Sequence, residues 1–334
     1  MIAKRKPPRR PRPARGLVSW IGPLVARLYL GRPDLGELIA IKYGSLLAAW
    51  NGLRNEVLFR LRRDRGYRIV SANFEVTNRC NLSCVMCSVN RGMQRPKADQ
   101  DLSSFVRFLD RNPELEYVLL FQWGEPLLVP ELPEMIAEAT QRGVATMITT
   151  NGTLLDETWC RRLLDAGLTR LTLSVDGNDE THERIRGIPL EPLRRNLMRL
   201  RRMRQERGAT LGIDVSMVVN GLTAGTWGEL RHSWKGVADR VQAIPQFVGR
   251  KRRTPCREPS RGSLVVLADG RVIVCCADPE GEAMVGHVDQ PLQEILNNDT
   301  MRAFRRAHFR RDFPALCATC GEYESGVVGP RFGG

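Results

Sequence analysis

Six short apolar or β-branched runs, at residues 69–76, 117–121, 145–149, 170–175, 210–218 and 240–244, alternate with amphipathic helical stretches at 102–111, 132–142, 156–166, 191–207 and 226–234. Strands and helices in strict series dictate a parallel sheet, because each parallel strand is reached through a crossover helix. The expected class is α/β, with the sheet open or curled into a partial (βα)6 barrel. In such sheets chemistry collects beyond the carboxyl ends of the strands. Four successive strand ends run into polar loops: VTNRCNLSCVMC, QWGEPLL, TTNG and SVDG. Loops on neighbouring strand ends converge on one mouth.

The 334 residues suit one large and one smaller domain, and 42% apolar with 26% charged residues excludes a wholly disordered chain. Net charge is +14, but residues 1–70 hold 16 basic and 4 acidic side chains, leaving 35 against 33 for the rest. The basic excess therefore reads as an attachment arm rather than a nucleic-acid groove across the body. Nine cysteines in short local spacings point to metal or cluster ligation in a reducing compartment rather than to disulfides. A cytoplasmic chain is expected, peripheral at the inner membrane face.

Cys80, Cys84 and Cys87 form CxxxCxxC, three thiolates on one loop, with the next downstream histidine only at His182. Three ligands leave one position of a four-iron cluster open, whereas a structural zinc site closes with a fourth. CNLSCVMC after SANFEVTN, followed in order by WGEPLL, TTNGTLL and LTLSVDG, resembles the radical SAM superfamily over about residues 69–245.

The resemblance implies a 4Fe-4S cluster on Cys80, Cys84 and Cys87, whose free iron chelates S-adenosylmethionine (SAM), and reductive cleavage of SAM to a 5′-deoxyadenosyl radical. It implies SAM contacts from Gly124 and Glu125, from Asn151, Ser174 and Asp176, and from Arg184 or Arg186. Met86 stands where the superfamily often has an aromatic residue, and Trp123 replaces the first glycine of GGEP. Cys160, within a helical stretch, reads as a buried apolar residue. A catalytic base is not singled out among His182, Asp176, Glu183 and Asp214.

Beyond residue 253 the pattern changes. Asp269-Gly270 between apolar runs marks a hairpin whose second strand ends in Cys275-Cys276, followed by a helix over about 292–308 and then CATC. Cys256, Cys275 or Cys276, Cys317 and Cys320 supply four thiolates. Their order resembles the SPASM/twitch extension of radical SAM enzymes and implies a second, auxiliary 4Fe-4S cluster; tetrahedral zinc is the competing reading.

The domains read as a basic tail over 1–15, an amphipathic helical extension over 16–67, the radical SAM core over 68–250 and the auxiliary-cluster domain over 251–334. Residues 4–15, KRKPPRRPRPAR, cannot pack, and the uncharged runs that follow are too short to span a bilayer. Aromatics beside arginines in 16–61 suit helices lying on an anionic membrane or packed outside the core.

The function expected is hydrogen abstraction from a small-molecule or lipid-like substrate, ending in a two-electron oxidation or bond formation with the auxiliary cluster as electron relay. A flavodoxin- or ferredoxin-type reductant is the expected partner, with an anionic membrane surface met through residues 1–70 and no specific nucleic acid. The alternatives are a radical SAM peptide maturase and, from another class, a zinc or nucleic-acid-binding protein.

Overall fold

The computed structural model describes residues 46–249 and 251–322. The basic segment 1–15 and the helical stretch up to residue 45 lie outside the described residues. Six strands, β1 (Ser71–Phe74), β2 (Tyr117–Leu119), β3 (Ala145–Thr150), β4 (Arg170–Ser174), β5 (Gly212–Val219) and β6 (Arg240–Pro245), pair in chain order, all parallel. The sheet does not close, as a partial (βα)6 barrel requires.

After α1 (Leu46–Arg60), the crossovers are α2 (Leu102–Arg111), α3 (Leu132–Gln141), α4 (Glu157–Ala166), α5 (Asp179–Arg186), α6 (Leu190–Glu206) and α7 (Trp227–Ser233). Along β3, Thr146 and Ile148 are buried towards the helices while Met147 and Thr149 are only half-buried on the inner face. Phe74 of β1 meets Phe105 and Phe108 of α2 at ring-centroid distances of 4.9 and 5.0 Å, and all three are fully buried. Burial of each such ring contributes about 2–3 kcal/mol.

The sequence pattern misses α5, which is only eight residues long and mostly charged. Its ends explain why it forms. Asn178 caps the start, accepting the Thr181 N–H at 3.1 Å, and Gly187 ends it with a left-handed φ of 74°.

The C-terminal segment is stitched onto the same sheet. The predicted hairpin is β8 (Ser263–Val266) and β9 (Arg271–Ile273), and β8 lies parallel beside β1, extending the sheet to nine strands with β10 (Met284–His287) at its edge. Strand β7 (Phe247–Gly249) returns to pair with β11 (Cys320–Glu322). The single helix expected over 292–308 is two, α8 (Leu292–Ile295) and α9 (Asp299–Arg310), with α10 (Ala315–Ala318) after them. Asn298 makes the break: its Oδ1 accepts the Met301 N–H at 2.9 Å while its Nδ2 donates to the Val285 carbonyl at 2.7 Å. Among the described residues no helix is long and apolar enough to cross a membrane.

Candidate active site at the sheet mouth

The cysteine loop leaves β1 through Glu75, a fully buried carboxylate that the sequence reading overlooks. It accepts from Arg95 on the returning arm of the loop, from the Trp123 N–H at 3.2 Å and from the Ala268 N–H at 2.7 Å. One side chain thus joins the cysteine loop, the loop after β2 and the C-terminal hairpin. Asn78 adds a second clasp, donating to the Pro96 carbonyl at 2.8 Å and accepting the Ala98 N–H at 2.9 Å.

Gly124 sits against this loop. Its φ is +99°, and a Cβ there would lie 2.5 Å from the Arg79 carbonyl oxygen and 2.7 Å from that of Thr77. Only glycine fits both the backbone conformation and the approach. The next residue closes the contact, the Glu125 N–H donating to the Arg79 carbonyl at 2.8 Å. The Glu125 carboxylate is buried and accepts from Thr150 Oγ1 at 2.7 Å, from the Asn151 N–H at 2.7 Å and from the Leu127 N–H at 3.0 Å. Burial pushes its pKa up against the pull of these donors. Asn151 in turn donates from Nδ2 to Asn81 Oδ1 at 2.9 Å, tying the end of β3 to the cysteine loop.

Beyond β4, Asp176 Oδ2 accepts from Arg186 Nε at 2.7 Å and Oδ1 accepts the Val218 N–H at 2.8 Å. Burial opposes the charge of Arg186, but Asp176 and the thiols of Cys84 and Cys87 hold it ionised. Burial raises the pKa of the Cys84 thiol, and Arg186 is the cation that lowers it. Cys80 is raised likewise, its Sγ accepting the Leu82 N–H at 3.5 Å. Cys84 feels the charge of both Cys80 and Cys87, so the three thiols occupy one electrostatic neighbourhood beside a guanidinium.

The structure therefore gathers Cys80, Cys84, Cys87, Gly124, Glu125, Asn151, Asp176 and Arg186 at one end of the sheet. Ser174 is half-buried at the end of β4, opposite Ser216. Arg184 is exposed on α5. Met86 meets the Asn220 Nδ2 at 3.2 Å from its sulfur. Of the base candidates, Asp214 lies near the start of β5, held by Arg170 and Arg240 at 2.8 and 2.6 Å, away from the mouth. Glu183 is exposed, and His182 is fully buried with Nδ1 accepting the Asp176 N–H at 3.1 Å. Cys160 is fully buried in α4.

The second thiol set forms where β7 meets β11. Burial pushes Cys317 up to about 12, helped by the nearby Cys256, Cys275 and Cys320. Cys275 belongs to this set electrostatically, whereas Cys276 is exposed and feels Glu258 and Arg261 besides its neighbour Cys275. Arg252 lies among the thiols, its Nε donating to the Cys317 carbonyl at 3.2 Å. Gln122 of QWGEP spans the two halves, accepting from Asn73 at 2.9 Å and donating to the Cys276 carbonyl at 2.7 Å.

Thiols near a cation, in sets of three and four, suit iron-sulfur clusters in donor type and charge. Among the described residues, no three His, Cys, Asp or Glu side chains group tightly enough to share one metal ion.

Family models agree with this layout. Residues 74–233 match the radical SAM superfamily, and residues 256–321 match the SPASM iron-sulfur cluster-binding domain. Over 116 residues the chain is 38% identical to a PqqA peptide cyclase of Granulibacter bethesdensis, covering 34% of this chain and 31% of the relative. Over 118 residues it is 35% identical to an AdoMet-dependent heme synthase of Methanosarcina barkeri, covering 35% and 34%. The chain thus matches about a third of the length of these curated relatives. The crystal structure of BtrN in complex with AdoMet and 2-DOIA superposes with a TM-score of 0.54 at 18% identity, covering 78% of this chain and 98% of that one. At that identity the likeness is one of fold.

Proposed function

The chain belongs to the radical SAM superfamily and carries a C-terminal SPASM-type iron-sulfur domain, and on that footing we propose that it abstracts hydrogen from a small-molecule or lipid-like substrate. The outcome is a two-electron oxidation or a bond formation, with the auxiliary site as electron relay. Cofactors of the family are a 4Fe-4S cluster, SAM and auxiliary iron-sulfur. Together the reduced cluster and SAM supply a primary carbon radical strong enough to take hydrogen from carbon.

We assign the chain's own work as follows. Cys80, Cys84 and Cys87 hold the first cluster, and Cys256, Cys275, Cys317 and Cys320 hold the second. Arg186, oriented by Asp176 through Nε, offers its terminal nitrogens to the SAM carboxylate as a fork. Glu125, with a lone pair left on Oε2, would accept from the SAM ammonium, Gly124 would let the backbone approach it, and Asn151 and Ser174 would contact the sugar. The core runs over 68–250 and the auxiliary domain over 251–334.

The observation that carries the relay reading is the Gln122 bridge, which fixes the turn bearing Cys275 to the loop bearing Gly124 and Glu125. An electron relay needs the auxiliary site held close to the substrate, and a turn tied back to the loop at the sheet mouth supports that reading. A flavodoxin- or ferredoxin-type protein is the proposed reductant, and an anionic membrane surface the proposed location. A second reading, a peptide substrate, is favoured by the local identity to PqqA peptide cyclase.

The test is anaerobic reconstitution, reduction with dithionite in the presence of SAM, and chromatography for 5′-deoxyadenosine. About eight irons per chain, falling to about four with cleavage lost in the Cys80/Cys84/Cys87 triple alanine variant, is expected. Zinc in place of iron with no 5′-deoxyadenosine would overturn the reading.

A further inference from the structure

Helix α1 is built inside out. Asn51 and Asn55 are 1% and 2% exposed, while Trp50, Val57 and Leu61 stand 50%, 46% and 62% exposed. The buried amide of Asn55 is consumed by backbone, accepting the Tyr67 N–H at 2.7 Å and donating to the Arg68 carbonyl at 3.2 Å. Steps of seven and four residues place Trp50, Val57 and Leu61 on one line along the helix axis. The outer face therefore carries a stripe of three apolar side chains with the exposed Arg54 among them, its guanidinium 5.0 Å from the Trp50 ring centre, a mixture of apolar and basic groups that suits an interaction surface.

Arg60 and Arg62, the chain neighbours of Leu61, line a cavity of about 310 Å³ together with Phe59, Arg257 and Phe309. Glu56 is shared between two of these arginines, 2.8 Å from Arg60 and 3.5 Å from Arg257. The Arg62 side chain has no ion pair or hydrogen bond among the described residues. Three guanidinium groups against one carboxylate leave two positive charges, more than the about half charge of a helix C-terminus offsets.

We propose that the stripe and the arginine cavity form one docking surface for an anionic phospholipid bilayer. Trp50, Val57 and Leu61 enter the headgroup boundary and the guanidinium forks hold phosphate. A cover made of residues 1–45 would set its 10 Lys and Arg, with only 2 acidic residues, against these same arginines. An anionic surface complements them. Residues 251–261 and 302–312, the segments that contribute Arg257 and Phe309 to the cavity, together hold 10 basic and 2 acidic side chains, of which Arg305 is buried and Arg302 and Arg306 are paired with Asp64. The inference deepens the anionic-surface reading above and rests on it only for the kind of partner.

The test is co-sedimentation of the full reconstituted chain with phosphatidylcholine vesicles, without and with about one-third phosphatidylglycerol. Wild type is expected to pellet only with phosphatidylglycerol. Trp50→Ser/Leu61→Ser and Arg62→Asn/Arg257→Gln are each expected to bind about tenfold more weakly, with iron content and melting temperature unchanged. Asn suits the φ of 51° at position 62. Val57→Gln repeats the apolar arm if the first pair loses iron.

Pelleting that neither pair weakens would place binding in residues 1–45, overturning this surface while leaving the anionic-membrane reading standing. No pelleting would overturn both. If inorganic phosphate raises the melting temperature of wild type but not of the arginine variant, while vesicles do nothing, the cavity serves a soluble phosphate ligand and the membrane surface falls.

Discussion

Glu75 and Arg95 face each other in a bidentate pair, each carboxylate oxygen 2.9 Å from one terminal guanidinium nitrogen, with side chains 0% and 2% exposed. Arg95 also donates from Nε to the Pro279 carbonyl, so the pair spans from the cysteine loop to the C-terminal segment. Glu75→Gln leaves the buried guanidinium with only Asp269, at 4.0 Å, as countercharge and is expected to cost about 3 kcal/mol. Urea unfolding of the two proteins side by side measures it; a loss under about 1 kcal/mol would mean that the pair is not what joins these loops.

Gly124→Ala is expected to strip the first cluster and spare the second. The added methyl has no room against the Arg79 and Thr77 carbonyls, so the cysteine loop must move. Iron per chain falls from about eight to about four. Full iron occupancy in this variant would show that the loop tolerates displacement.

Arg186→Gln is expected to weaken SAM binding by more than about tenfold, the usual loss when one partner of a charge-assisted pair is removed. Calorimetric titration of reconstituted enzyme reads the affinity directly. Arg184→Gln, at an exposed position on the same helix, serves as the control and leaves affinity unchanged.

Cys275→Ala and Cys276→Ala separate neighbours that the sequence leaves equivalent. Cys317 senses Cys256, Cys275 and Cys320 most strongly among the thiols, and Cys276 is the exposed member of the pair. Loss of about four irons is expected for Cys275→Ala alone. The opposite pattern would reassign the ligand.

Acid is expected to destabilise the fold through two histidines. His182 and His308 are fully buried or nearly so, and each accepts a backbone N–H at Nδ1, at 3.1 and 3.2 Å. Burial lowers them to about 3 and about 4, with the charges of Arg186 and Arg252 acting in the same direction. The unfolded chain protonates near 6.5 and the folded one does not, so stability is complete above that value and is lost as pH falls towards the folded values. From about pH 7.5 to about 5.5 the pair accounts for about 3 kcal/mol. Urea midpoints across this range check it, and His182→Gln should halve the slope.

What could be read from the sequence was what short spacing encodes. The three-thiol loop and the strand-end loops after β1 to β4 lie within runs of a dozen residues, and the structure brings them to one mouth. Glu75 and Arg95 escaped because their pairing crosses a loop, and no spacing rule links them; the signal was a lone carboxylate directly after the strand SANF. The break at Asn298 was visible as a capping residue inside a long helical pattern, but periodicity alone hides it. The pairings of β8 with β1 and of β7 with β11 are long-range and left no local trace. Near-neutral charge over residues 71–334 likewise concealed the meeting of Arg257 with Arg60 and Arg62 around one cavity.

Strand β8 belongs to the segment after residue 250, yet it sits beside β1, register Ser71 opposite Ser263. The seam between the two matched families is thus not a seam in the fold. A chain cut there would bare the β1 edge as an unpaired, apolar template for aggregation. Joining a different C-terminal module to this core must therefore preserve this strand pairing, which makes the graft point a matter of sheet register rather than of cysteine count.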